Sequence, residues 1–448
     1  MSNPILKILK GLNPEFVKLL SGSGLVFGFK VLGAIAGYAL AYVITTNYGA
    51  HTFGVFELCL TILTILGVLG RLGIDGALVR FIPECVEKRQ FNHLRSAYKF
   101  ALKVALPISL VFAGILFFGA GHLATFFNSE HLEEGFKITA LIVPFSTWMG
   151  LNSESFRGMK NMVAYSFYQR GTVVLIACFA IMLLVVKYPE WTHVPLIGFG
   201  IGVIGLSVAA GIYTPRRILA LGEAQTTNNS FNSNTFLAVA FPMLLSTSMF
   251  MIMNWTDILM IGYFLEESHV GIYRLAFKVA ALITFAQVAI NSIAAPMFSS
   301  FKAKGDIEGL KKLVKNIGYL NVLISTPIFI LILLFPEVVL NFFGEEFTDG
   351  VAPLIILAIG SIINALCGPV MYLLNMTGKE IEARNIILIA SILNIALNLT
   401  LIPLFISLGK SGILGAAYAT SISTVVWNAL AVVQIKKQYG FISIPHPF

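Results

Sequence analysis

Twelve stretches of this chain stay apolar for roughly 18–25 residues at a time, each long enough to cross the ~30 Å hydrocarbon layer of a bilayer as a helix. They fall at 23–46, 55–76, 99–120, 137–158, 168–187, 194–213, 236–263, 271–295, 317–336, 351–375, 384–405 and 411–435. Lipid offers backbone amides no partners, so such runs must satisfy their hydrogen bonds internally, as helices do. The fold class expected is therefore an all-α polytopic membrane protein with about twelve transmembrane helices. Composition agrees, because only 12% of the 448 residues are charged against about 25% in a soluble domain.

Charge sets the orientation, since cytoplasmic loops retain Lys and Arg. With the N-terminus inside, outer segments carry only Lys137, Lys187 and Lys410, while inner ones hold Lys88, Arg89, Arg157, Arg216, Arg217, Lys311, Lys312, Lys436 and most of the rest. Acidic residues do the reverse, as at Glu133, Glu134, Glu266, Glu267, Glu345 and Glu346. Both termini are then cytoplasmic, and most of the +8 net charge is topology. The spread of the cations argues against nucleic acid, which needs them clustered on a folded face. Residues 1–20 read as an interfacial amphipathic lead-in to an uncleaved first span, and the four cysteines as small apolar fillers, with Cys85 in a loop. The longest loop, 214–235, ends in a polar, Asn-rich stretch expected to be a linker. It divides the chain into an N-terminal six-helix lobe (1–220), a cytoplasmic linker (221–235) and a C-terminal six-helix lobe (236–448).

The two halves echo each other. FGVFEL (Phe53 to Leu58) aligns with VGIYRL (Val270 to Leu275), and GVIGLSVAA (Gly202 to Ala210) with GILGAAYAT (Gly412 to Thr420). Two pseudo-symmetric six-helix bundles are a transporter arrangement, with a site between repeats and alternating access by rocking. Prolines 107, 144, 242, 327 and 369 mark kinks that such a motion can use.

A charge at the membrane centre costs at least ~2.5–3.5 kcal/mol, so each one should face a cavity or a partner. Arg80 and Lys103 can snorkel; Lys30, Arg71, Arg274 and Lys278 need another account. In the second span Glu57, Thr61, Thr64, Arg71 and Asp75 lie within about 40° of one line at 100° per residue. Such a stripe, about 27 Å long, either lines an aqueous path or packs as a buried ion-pair seam. In the eighth span Arg274 and Lys278 stack one turn apart, where like charges repel unless an anion sits between them. Glu57 and Asp257 are candidate counterions. Asp257, with Asn254 beside it, suits an ion or proton site, or equally a salt bridge. Lys30 adds a cation beside Gly33 and Gly37, small residues that allow close helix approach. Asn394 and Asn398 suit interhelical hydrogen bonds.

Enzymatic motifs are missing. Gly409-Lys410-Ser411 lacks the leading glycine of a phosphate loop, there is no HExxH or nucleophile elbow, and the seven histidines form no cluster along the sequence. No catalytic residue and no metal site is expected.

Six stretches, YGAHTFGVFEL (Tyr48 to Leu58), RLGIDGALVRFIPE (Arg71 to Glu84), RGMKNMVAYSFYQ (Arg157 to Gln169), WTDILMIGYFLEESHVGIYRLAFKVA (Trp255 to Ala280), LLNMTGKE (Leu373 to Glu380) and GILGAAYAT, run nearly end to end along the chain. Together they resemble the polysaccharide (O-antigen type) flippases, of the superfamily that also holds multidrug and toxic-compound exporters and lipid II flippases. That resemblance implies a MATE-like fold in a bacterial or archaeal inner membrane. It implies transport of a polyprenyl-diphosphate-linked oligosaccharide to the outer leaflet for surface polysaccharide such as lipopolysaccharide, with glycan polymerase and chain-length proteins as partners. Lys30, Arg71, Arg274 and Lys278 would then hold the diphosphate by charge-assisted hydrogen bonds. Glu57, Asp75, Asn254 and Asp257 would balance charge, and a carboxylate among them could carry a coupling proton or sodium ion. Lipid II flippases commonly have fourteen spans rather than twelve. A cation-coupled multidrug or small-molecule exporter is the alternative within the superfamily, and a membrane glycan polymerase or transferase the alternative outside it.

Overall fold

The structure, a computed structural model, describes residues 14–222 and 233–444. The amphipathic lead-in before residue 14 and the Asn-rich part of the linker lie outside the described residues. Fifteen α-helices and one 3-10 turn account for the elements, and no strand occurs among the described residues. The helices are α1 (Pro14–Arg71), α2 (Ile74–Glu87), α3 (Phe91–Phe126), α4 (His131–Gly158), α5 (Met162–Phe167), α6 (Arg170–Lys187), α7 (Val194–Leu219) and α8 (Ser233–Phe264). Then follow α9 (Glu267–Ala303), α10 (Ile307–Leu334), α11 (Pro336–Asn341), the 3-10 turn Glu345–Gly350, α12 (Val351–Cys367), α13 (Val370–Met376), α14 (Glu380–Ser407) and α15 (Gly412–Tyr439).

Among the described residues, nine helices are long and apolar enough to cross a membrane. The longest, Val31–Arg71, carries two of the expected spans. No loop separates them: Gly49, at φ 78 and ψ −176, turns one helix into the next, a conformation that costs glycine least. Helices α4 and α8 take up the remaining two expected spans without being among the nine. Helix α4 is diluted by Ser146, Thr147, Asn152, Ser153, Glu154 and Ser155, and that polarity becomes important below. Pro369 sits where the tenth expected span breaks, between α12 and α13 beside Gly368 at φ 79.

Contacts divide the chain into two compact units, one Gly28–Gly271 and the other Ile272–Phe448 together with the segment that ends at Phe27. In the first, Ile74, Leu78 and Ile82 of α2 share a buried core with Leu94 and Tyr98 of α3, Leu151 of α4, and Phe236 and Ala240 of α8. Helix α8, which follows the expected linker, thus packs within this unit. Cys85, expected in a loop, lies in α2 at the edge of this core. In the second unit Phe298, Leu310, Val314, Leu373, Leu374 and Ile435 form a core of their own.

Glycines set the closest helix crossings. A Cβ on Gly33 would stand 3.1 Å from the Cα of Gly171, so α1 and α6 meet backbone to backbone, while Gly37 has open space around it. Within the first unit Gly54 and Gly271 make a reciprocal contact. A Cβ on Gly54 would collide with the carbonyl oxygen of Glu267, and one on Gly271 with that of Ala50, each obstacle lying one turn before the other glycine. These are the aligned second residues of FGVFEL and VGIYRL.

Candidate functional site

Helix α1 ends at Arg71 because Leu72 and Gly73 both turn left-handed, at φ 49 and φ 74. A Cβ at Gly73 would also strike the backbone oxygen of Ala240 on α8, so that position needs glycine twice over. The polar stripe expected along one continuous helix is therefore broken between Arg71 and Asp75, which sits in the first turn of α2. The break still brings the two together. Arg71 Nε donates to Asp75 Oδ2 at 2.8 Å, and Asp75 Oδ1 accepts from the Gly76 amide at 2.9 Å.

Both side chains face a cavity of about 270 Å³ contained in the first unit. Thr64 of the stripe also lines it, whereas Glu57 and Thr61 are fully buried. The opposite wall is α4, through Ser146, Met149, Gly150, Ser153 and Glu154, and the floor is Tyr168 and Gln169 at the turn between α5 and α6. Glycine makes the room: a Cβ on Gly150 would lie 2.5 Å from Arg71 Nη1. Ser153 Oγ donates to the Tyr168 carbonyl at 2.7 Å and ties the floor to the wall. Tyr168 stacks on Phe156 with centroids 5.3 Å apart, and Tyr213 packs against both. Glu154 Oε2 accepts from Arg157 Nη1 at 3.2 Å, and Arg157 lies over the Tyr165 ring. Two stretches that carried the family resemblance, Arg71 to Glu84 and Arg157 to Gln169, thus converge on one cavity.

Sequence reasoning passed over Glu154, Tyr168 and Gln169. Glu154 was legible, because a carboxylate inside the apolar run 137–158 meets the same cost that singled out Arg71. Tyr168 and Gln169 carry no such signal; only the turn after α5 brings them in. Of the other expected site residues, Asp257 is buried in α8. Arg274 and Lys278 are half-buried, one turn apart on α9, with the Arg274 guanidinium 5.4 Å from the Phe277 ring centroid. The side chains of Lys30 and Asn254 lie outside the described residues.

Three histidines scattered along the sequence approach one another at helix ends in the same unit. His51 and His131 meet edge to face at 5.1 Å, His51 Nε2 is 3.7 Å from Glu267 Oε2, and His193 Nε2 is 3.3 Å from Glu134 Oε2. No group of three His, Cys, Asp or Glu is placed to hold a metal among the described residues. His193 is 3% exposed, and burial pushes its imidazole below the usual histidine range, with the Glu134 carboxylate opposing. Unfolding restores the ordinary value near ~6.5. The unfolded chain therefore binds the additional proton as pH falls below it, and stability drops with acidification toward the folded-state pKa. Thermal unfolding followed from pH 7.5 to 5.5 should show this loss, and His193→Phe should flatten the dependence.

A family model described as polysaccharide biosynthesis protein matches residues 49–352. The chain belongs to the polysaccharide biosynthesis protein family. It is 33% identical over 197 residues to a Haloferax volcanii protein named "Probable low-salt glycan biosynthesis flippase Agl15", a match covering 42% of this chain and 40% of that protein. It is 24% identical to "Probable flippase AglR" of the same organism over 94% of this chain and 84% of that one. Among solved structures, an inward-facing multidrug resistance MATE family transporter of the MOP superfamily superposes with a TM-score of 0.73 at 9% identity, covering 91% of this chain and 94% of the other. At that identity the likeness shows the fold alone, the MATE-like helical transporter fold expected from the sequence.

Proposed function

We propose that this family member is a flippase that carries a polyprenyl-diphosphate-linked oligosaccharide from the cytoplasmic to the outer leaflet by alternating access, rather than an enzyme. The observation that carries the reading is end-to-end similarity to a protein named a flippase, on a transporter fold. The chemistry of the membrane-embedded polar residues supports it. Arg274 and Lys278 offer two cations on one helix face inside an apolar segment, where a diphosphate gains most from charge-assisted hydrogen bonds. Buried Glu57 and Asp257 are suited to balance charge in the empty state or to take a coupling proton or sodium ion.

The test is leaflet-resolved translocation in proteoliposomes, using lipid-linked oligosaccharide extracted from the cells that make the protein. Transport by reconstituted wild type above empty vesicles supports the reading. No transport, together with protection of a deletion strain's parent against cationic dyes, would replace it with drug export.

A further inference from the structure

The cavity between α1, α2 and α4 is poorly suited to the diphosphate of such a substrate. Its lining carries one guanidinium and two carboxylates, and each carboxylate already holds an arginine: Asp75 holds Arg71 at 2.8 Å and Glu154 holds Arg157 at 3.2 Å. No net positive charge is left to attract a polyanion. Abundant hydrogen-bonding capacity remains. Arg71 spends only Nε on Asp75, so its Nη groups keep their donors beside Gly150. Glu154 keeps Oε1, and the Ser146 hydroxyl and the Tyr168 phenol add groups that both donate and accept.

From this arrangement we infer that the cavity is a sugar subsite, in which its donors and acceptors take the ring hydroxyls of the substrate's glycan against the floor formed by Tyr168. The inference rests on the flippase reading and adds to it a division of labour: the glycan is recognised here, within the first unit, and the diphosphate elsewhere. Several features fit a polyol better than a phosphate or a bare cation. The charges are internally balanced, so a neutral ligand costs no unpaired charge on entry. Both donors and acceptors line the cavity, as ring hydroxyls require. The aromatic floor is rigid, held by Phe156 and Tyr213, and offers apolar contact to a ring's C–H face. A volume near 270 Å³ is at the small end of ligand pockets, a size for a sugar unit rather than a whole lipid-linked molecule.

Calorimetric titration of the detergent-purified full chain tests this. The probes are the free glycans released by mild acid from the cell's own lipid-linked oligosaccharide, inorganic pyrophosphate and sodium chloride. Wild type should bind the released glycans. Glu154→Gln should weaken that binding about tenfold through loss of a charge-assisted hydrogen bond, and Tyr168→Ala about tenfold through loss of the phenol's hydrogen bond and the ring's apolar contact. Pyrophosphate should not compete. Ser146→Ala replaces Tyr168→Ala should the latter fail to fold. Unchanged glycan affinity in the variants, displacement of glycan by pyrophosphate, or sodium binding that alone responds to Glu154→Gln would each overturn the proposal, as would absence of glycan binding to wild type. Translocation is measured on the same preparations. Loss of the flippase reading shows as no transport by wild type, whereas failure of the subsite alone leaves transport intact with pocket variants that bind as wild type does.

Discussion

Replacing Arg274 and Lys278 together with alanine should lower translocation of lipid-linked oligosaccharide at least a hundredfold. The two cations sit one turn apart on α9, where like charges disfavour each other by a few tenths of a kcal/mol in an exposed helix and by more where water is scarce. A substrate that binds through charge-assisted contacts loses about 1.5–3 kcal/mol for each, which over two contacts reaches the hundredfold range and beyond. Proteoliposome transport and a thermal unfolding curve, taken on one preparation, separate the outcomes. Retained transport would remove the pair from the substrate path. Loss of folding would make them members of a structural ion-pair network.

The second large effect is on stability. Gly54→Val should depress the unfolding temperature by several degrees or prevent accumulation in the membrane, and Gly271→Val should do the same. Overpacked sites typically cost about 1–3 kcal/mol, and the obstacle here is backbone, which cannot swing aside as a side chain can. Gly114→Ala is the control: nothing lies within 4 Å of its missing Cβ, so helix propensity alone should leave that variant unharmed. Equal stability of Gly54→Val and Gly114→Ala would show that the crossing is looser than described.

Much of this architecture is legible in the sequence because a membrane enforces simple rules. Apolar runs of bilayer length have to be helices, and every expected span is helical away from its ends apart from the breaks at Leu72–Gly73 and Gly368–Pro369. What hydropathy does not carry is how neighbouring helices join. The 47–54 region looks like an outer loop by composition, yet one left-handed glycine performs the turn. Periodicity failed at a particular place for the same reason: counting 100° per residue from Glu57 to Asp75 assumes a helix that Leu72 and Gly73 interrupt. The break still leaves Arg71 and Asp75 paired at 2.8 Å. The candidate site was half visible, since intramembrane charge flags Arg71 and would flag Glu154. Tyr168 and Gln169 become site residues only through the Ser153 hydrogen bond and the short helix α5, which no pattern of polarity announces.

The reciprocal contact of Gly54 and Gly271 has a consequence for how this chain can change. Each glycine meets the backbone one turn before the other, so a side chain added at either position drives into the same crossing. Substitutions can accumulate around FGVFEL and VGIYRL independently, but the two glycines share a single steric constraint.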